Sequence, residues 1–196
     1  MRKRIVVGFY DLANSLTILG MLFSLTACFF AFYGNLKPAM VLLIAAGMAD
    51  LFDGFVARRW QRDETKKTFG IQIDSLADVV SFGVAPLIIS LCNGTGAWYA
   101  LVVYALYLSA VVIRLAYFNT VTAGQNKGYS RGLPVTYLAL VMPIVFLVPV
   151  PAIHVGMFAA MALLYLLHFK MPKPRGVWYA LFPLVAVALI VVWCLV

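Results

Sequence analysis

The sequence predicts an all-α integral membrane protein, folded as a single domain over residues 1–196. Three observations carry that prediction. Hydrophobic residues make up 64% of the chain and charged residues only 11%, against about 25% charged in an ordinary soluble domain. Mean hydropathy is +0.98. The apolar residues also gather into seven stretches, each near the roughly 20 residues that a helix needs to cross a bilayer.

Residues 1–12 read as an interfacial N-terminal segment rather than a signal peptide. A basic start, "MRKR", leads into "IVVGFYD", and Asp11 breaks the apolar run too early for a cleavable core. Four spans follow at 13–33, 37–58, 70–92 and 96–119. The fifth, 132–149, carries Pro143 and is expected to kink there. From Val148 to Gly156 the stretch "VPVPAIHVG" reads as a tight turn, because Pro149 and Pro151 remove two backbone donors. The last spans are 151–169 and 176–196, and the sizeable polar loops are 59–69 and 120–131.

Orientation follows from the basic residues. With the N-terminus inside, all but Lys37 of the 15 lysines and arginines fall on the cytoplasmic side, as the positive-inside rule requires. The same rule accounts for the formal charge of +8, so a nucleic-acid partner is not inferred. The expected location is the cytoplasmic membrane, with the chemistry facing the cytoplasm. Seven crossings would place the C-terminus outside. Cys28, Cys92 and Cys194 stand apart in apolar sequence, as do His154 and His168. They read as packing residues, with no zinc or disulfide pattern among them.

Four aspartates break the apolar pattern. An ionised carboxylate at mid-bilayer costs about 2.5–3.5 kcal/mol on insertion scales. Asp50 and Asp53 are three apart, Asp74 and Asp78 four apart, and either spacing puts a pair on one helical face. The pairs lie on consecutive antiparallel spans near their shared cytoplasmic loop, so they can face one another. Divalent cations would turn the repulsion of such a group into attraction, and all-oxygen ligands suit Mg²⁺ or Mn²⁺. Metals sharing carboxylates clamp in-line displacement at phosphorus. Gly54 and Ala57 leave room on the Asp50 side for a ring or phosphate, and Arg58 offers a planar fork. Simple helix packing would also explain the small residues. Ion pairing with Arg58, Arg59 or Arg114 would also explain individual aspartates, and an ion pathway is a further alternative.

Asp50-x2-Asp53-Gly54-x2-Ala57-Arg58, followed by Gly70-x3-Asp74-x3-Asp78, resembles the signature of the CDP-alcohol phosphotransferases. The intervening "RWQRDETKKTF", read as a polar loop before a helix that Gly70 opens, is longer than the usual pattern by a few residues. "DSLADVVSFGVAP", "RLAYFN" and "RGLPVT", with "NSLT" at Asn14 to Thr17, look like the phosphatidylserine synthase branch.

That resemblance implies a six-helix transmembrane core, usually homodimeric, with one of the seven expected spans as an addition. It implies transfer of a phosphatidyl group from CDP-diacylglycerol to L-serine, with release of CMP. By position, Asp50, Asp53, Asp74 and Asp78 would surround two Mg²⁺ or Mn²⁺ ions, and Asp78 would be the general base. Asn14, Thr17, Asp50, Gly54, Ala57 and Arg58 would border the CDP. Arg114, Asn119 and Arg131 are candidates for holding serine, although either arginine would also serve as a membrane-edge anchor. The rival readings are the same reaction with glycerol phosphate or inositol phosphate as acceptor, and a transporter without enzymatic activity.

Overall fold

The computed structural model describes residues 8–59, 63–121, 129–172 and 177–195. Its helices are α1 (Leu12–Phe32), α2 (Leu36–Arg59), α3 (Glu64–Asp78), α4 (Ala85–Cys92), α5 (Trp98–Val121), α6 (Leu138–Val145), α7 (Pro151–Leu166) and α8 (Val177–Leu195). A π-helical segment, Val79–Val84, joins α3 to α4 in one rod, and a 3-10 turn, Val135–Tyr137, leads into α6. The all-α expectation holds, with one addition. Strands β1 (Tyr129–Arg131) and β2 (Lys170–Pro172) pair antiparallel, Ser130 opposite Met171.

Each element has a local cause. Asp11 caps α1 by accepting the Asn14 backbone N–H at 2.9 Å, and Asp63 caps α3 through Lys66 at 2.8 Å. Such caps satisfy donors that a helix start leaves open. The Asp63 cap corrects the expected loop at 59–69. Helix α3 begins at Glu64, so Gly70 lies inside it rather than opening it. On the N-terminal side, the Phe9 ring packs edge-on against Phe69 of α3, with centroids 5.5 Å apart.

The π segment answers a proline. Pro86 has no N–H, so the Phe82 carbonyl loses its usual partner four residues on. The Ala85 N–H bonds back to the Val80 carbonyl, and the Tyr107 hydroxyl of α5 donates to the Phe82 carbonyl. A fully buried tyrosine thus completes what the proline leaves open.

Among the described residues, four helical stretches are long and apolar enough to cross a membrane: Leu12–Phe32, Leu36–Ala57, Glu64–Cys92 and Trp98–Val121. The other apolar helices, Val135–Val145, Pro151–Leu166 and Leu181–Leu195, are shorter. The number of apolar helical segments therefore matches the seven expected. The expected break at Pro149 is present, with Pro151 in the first turn of α7. The fifth segment is shorter than anticipated, and Pro143 lies near the end of α6 rather than at a mid-span kink. His154 braces this turn. Its Nε2–H donates to the Val148 carbonyl at 2.8 Å, and its ring stacks on Phe146 at 3.9 Å.

Helix α2 is central, with α1 along one side and α6 and α8 along the other, while α5 packs on α7. Gly47 is what lets α6 approach, since a Cβ there would stand 2.5 Å from the Ala139 Cβ. Met40, Leu43, Ile44, Phe82, Leu138 and Phe158 fill the interior. Outward faces carry Leu22, Leu25 and Phe29 on α1, and Leu101, Leu106 and Ile113 on α5. Those side chains are what a lipid-facing surface requires. Exposed Trp98 and Tyr99 open α5, where an aromatic belt is expected.

Candidate active site

The aspartates of α2 and α3 converge through their side chains. One carboxylate oxygen from each of Asp50, Asp74 and Asp78 lies within 4.8 Å of the others. Asp78 is buried and Asp50 and Asp74 are half-buried. None of the three pairs with a lysine or arginine among the described residues; ion pairs at Lys66–Asp63 and Lys67–Glu64 lie on the first turn of α3. Asp53 is buried too but stands outside this group of three. Its Oδ2 lies 2.5 Å from the Thr17 hydroxyl of α1, which is also 3.1 Å from the Ala13 carbonyl. A narrow cleft beside the acids is lined by Thr17, Gly20, Ala46, Asp53, Ala77 and Asp78.

The segment before α6 reaches the same place from the other side. The Thr136 hydroxyl donates to Asp50 Oδ2 at 2.6 Å. A few residues earlier, the Gly132 and Leu133 carbonyls accept from Arg114, from Nη2 and Nε respectively, each at 3.1 Å. Gly132 has φ +74°, and a Cβ there would sit 3.1 Å from the Leu167 carbonyl oxygen and 3.4 Å from Arg114 Nε. The tight wrap around the guanidinium therefore needs glycine. Val135 is tied as well, its carbonyl accepting from the Tyr165 hydroxyl at 3.1 Å.

Arg114 is no membrane-edge anchor: only 5% of it is exposed. Two of its nitrogens are spoken for, and the third, Nη1, is buried without a partner among the described residues. Asn119, one and a half turns on, donates to the Ser75 hydroxyl at 2.8 Å, beside Asp74 in sequence. Asn14 is buried, and its side-chain amide donates to the Phe9 carbonyl at 2.8 Å. Gly54 and Ala57 are half-buried on α2. Arg58 is the penultimate residue of α2 and Arg131 ends β1; both side chains lie outside the described residues.

Sequence reasoning singled out the aspartates, Thr17 and Arg114 but missed Thr136 and Ser75. Helical periodicity says nothing about a hydroxyl 86 residues from its carboxylate. The π segment immediately after Asp78 was also not anticipated, although Pro86 was its signal. Such segments recur at functional sites.

Chemically, the three acids are oxygen acceptors with no lysine or arginine partner among the described residues. That donor set fits a hard divalent cation. Fold and site together define a membrane-embedded helical protein with a carboxylate centre suited to phosphoryl chemistry. The chain belongs to the CDP-alcohol phosphatidyltransferase family, whose model matches residues 10–192.

Its relatives sharpen this. The chain is 34% identical over 179 residues to the CDP-diacylglycerol–serine O-phosphatidyltransferase of Mycobacterium tuberculosis H37Rv, covering 90% of this chain and 56% of that one. It is 32% identical over 141 residues to the archaetidylserine synthase of Methanothermobacter thermautotrophicus, covering 71% and 59%. A CDP-diacylglycerol–serine O-phosphatidyltransferase of Saccharomyces cerevisiae is 36% identical over 155 residues, covering 72% and 50%. The chain thus spans between half and three-fifths of the length of these relatives.

Proposed function

We propose that this protein transfers the phosphatidyl group of CDP-diacylglycerol to L-serine, giving phosphatidylserine and CMP. The observation that carries the reading is the meeting of Asp50, Asp74 and Asp78 without a cationic partner among the described residues. The names of the relatives support serine as the acceptor. Asp50, Asp53, Asp74 and Asp78 would hold Mg²⁺ or Mn²⁺, two ions in the full reading. When bound, such ions offset charge on the pyrophosphate and on departing CMP.

The chain's own residues supply the rest. Asp78 takes the proton of the serine hydroxyl as that oxygen attacks the phosphorus of the phosphatidyl group. A new oxygen–phosphorus bond forms, the bond to CMP breaks, and CMP leaves with the electron pair. Asn14, Thr17, Gly54, Ala57 and Arg58 would border the CDP. Arg114 would hold the serine carboxylate through Nη1, the guanidinium nitrogen without a partner among the described residues, with Asn119 and Arg131 nearby. A planar fork with two nitrogens already fixed loses little freedom on binding a carboxylate. The reading places the protein in the cytoplasmic membrane as a homodimer, with the carboxylates toward the basic, cytoplasmic face.

The test is purified protein with CDP-diacylglycerol and a panel of acceptors, read as CMP release and lipid product. L-serine should release CMP and yield phosphatidylserine. Release with glycerol phosphate or inositol phosphate alone would move the assignment within the family. No release with any acceptor would favour a transporter.

A further inference from the structure

The segment "GLPVT", Gly132 to Thr136, has no part in the mechanism above, yet every end of it is anchored. Gly132 and Leu133 grip Arg114, Val135 meets Tyr165, and Thr136 bonds to Asp50. A carboxylate on a helix has a free torsion about its last bond, so its oxygens need an outside partner to stay aimed. Asp50 has that partner in Thr136, at 2.6 Å on Oδ2. The Thr136 hydroxyl has a single proton to give. Its methyl, meanwhile, points to the hydrogen face of Gly47, 3.8 Å from where a Cβ would stand. Hydroxyl and methyl therefore have separate tasks on the two sides of one side chain.

We infer that Thr136 is a positioning residue, whose hydroxyl fixes Oδ2 of Asp50 and thereby aims the carboxylate at Asp74 and Asp78. Resting on the metal reading above, this adds to it a residue outside the family signature, on the same short strap that holds Arg114. Partners of metal-binding carboxylates typically change metal affinity or activity by about 10–100-fold when removed.

The experiment measures Mn²⁺ binding by calorimetry to the purified full chain in detergent, without substrate. Thr136→Val keeps the shape and loses the hydroxyl. Thr136→Ser keeps the hydroxyl and loses the methyl. The valine variant should bind Mn²⁺ about tenfold more weakly, and its CMP release should recover as Mn²⁺ is raised. The serine variant should bind within about twofold of the wild type, on the same scale of effects. A valine variant with wild-type affinity overturns the inference. So does a serine variant as weak as the valine one, because packing would then carry the effect. Should the valine variant fail to fold, a serine variant of wild-type affinity still supports the inference, and a weakened one overturns it. A wild-type protein that binds no Mn²⁺ overturns the metal centre itself, and the inference with it.

Discussion

Two buried polar clusters sit on the rod from Glu64 to Cys92, and they are built on opposite logic. Toward its C-terminal end, Ser90, Thr95 and Tyr104 form a closed ring of hydroxyls. Ser90 lies 2.9 Å from both Thr95 and Tyr104, and the Tyr104 hydroxyl lies 2.6 Å from that of Thr95. About 18 Å away along the helix, at 1.5 Å per residue, stands the carboxylate group around Asp78. Hydroxyls both give and accept, so the three satisfy one another together with the Ser90 carbonyl, which accepts from Thr95 at 2.6 Å. Ionised carboxylates only accept, and the Thr136 and Thr17 hydroxyls reach Asp50 and Asp53 there. A closed ring is a structural device that turns the chain from α4 into α5. At the other cluster, Asp50, Asp74 and Asp78 meet with no lysine or arginine partner among the described residues, which leaves acceptors for the cations proposed above. In an apolar interior, satisfied polar groups mark architecture and unsatisfied ones mark function.

Chelation should separate the clusters most sharply. EDTA should stop CMP release altogether and Mg²⁺ or Mn²⁺ should restore it, while the melting of the hydroxyl ring is untouched. Full turnover in chelator would erase the distinction drawn between the two clusters.

Asp78→Asn comes next. Loss of a general base typically costs about 10²–10⁴-fold in rate, so CMP release should fall by about that much while CDP-lipid binding persists. Normal turnover in this variant would remove the assignment of Asp78. Arg114→Ala should raise the KM for serine by about tenfold or more, as expected for a lost charge-assisted bond, and that for CDP-lipid much less. Equal changes in both constants would give Arg114 a purely structural role, as a clasp for Gly132 and Leu133. The smallest effect belongs to the ring. Tyr104→Phe should cost about 1 kcal/mol of stability in a thermal or denaturant melt, with activity per folded molecule unchanged. A loss of activity at wild-type stability would give the ring a function.

Much of the carboxylate centre was legible because it is written in local periodicity. Three- and four-residue spacings place Asp50 with Asp53 and Asp74 with Asp78, and a short connection forces their helices to run antiparallel. Legibility ended where partners come from distant sequence. Nothing in the local pattern separates Asp53, which faces Thr17, from the three acids that meet. Arg114 was visible as a candidate, yet its burial and its unpaired nitrogen depend on how Gly132 folds over it. The start of α3 at Glu64 was misread for a nearer reason. Polar composition suggested a loop, whereas Asp63 is a cap whose side chain starts the helix.

By itself, the sequence determined a helical membrane protein, the number of its apolar segments and the four acids set at helical spacing. Those properties follow from hydropathy and from the 3.6-residue turn, which act over short stretches of chain. Tertiary structure alone decided which three acids meet, that Tyr107 completes the carbonyl left open by Pro86, and that Thr136 reaches Asp50. Contacts of that kind are fixed by the packing of α1 and α6 on α2 and of α5 on the π segment, and close packing depends on the shapes of all the neighbours at once.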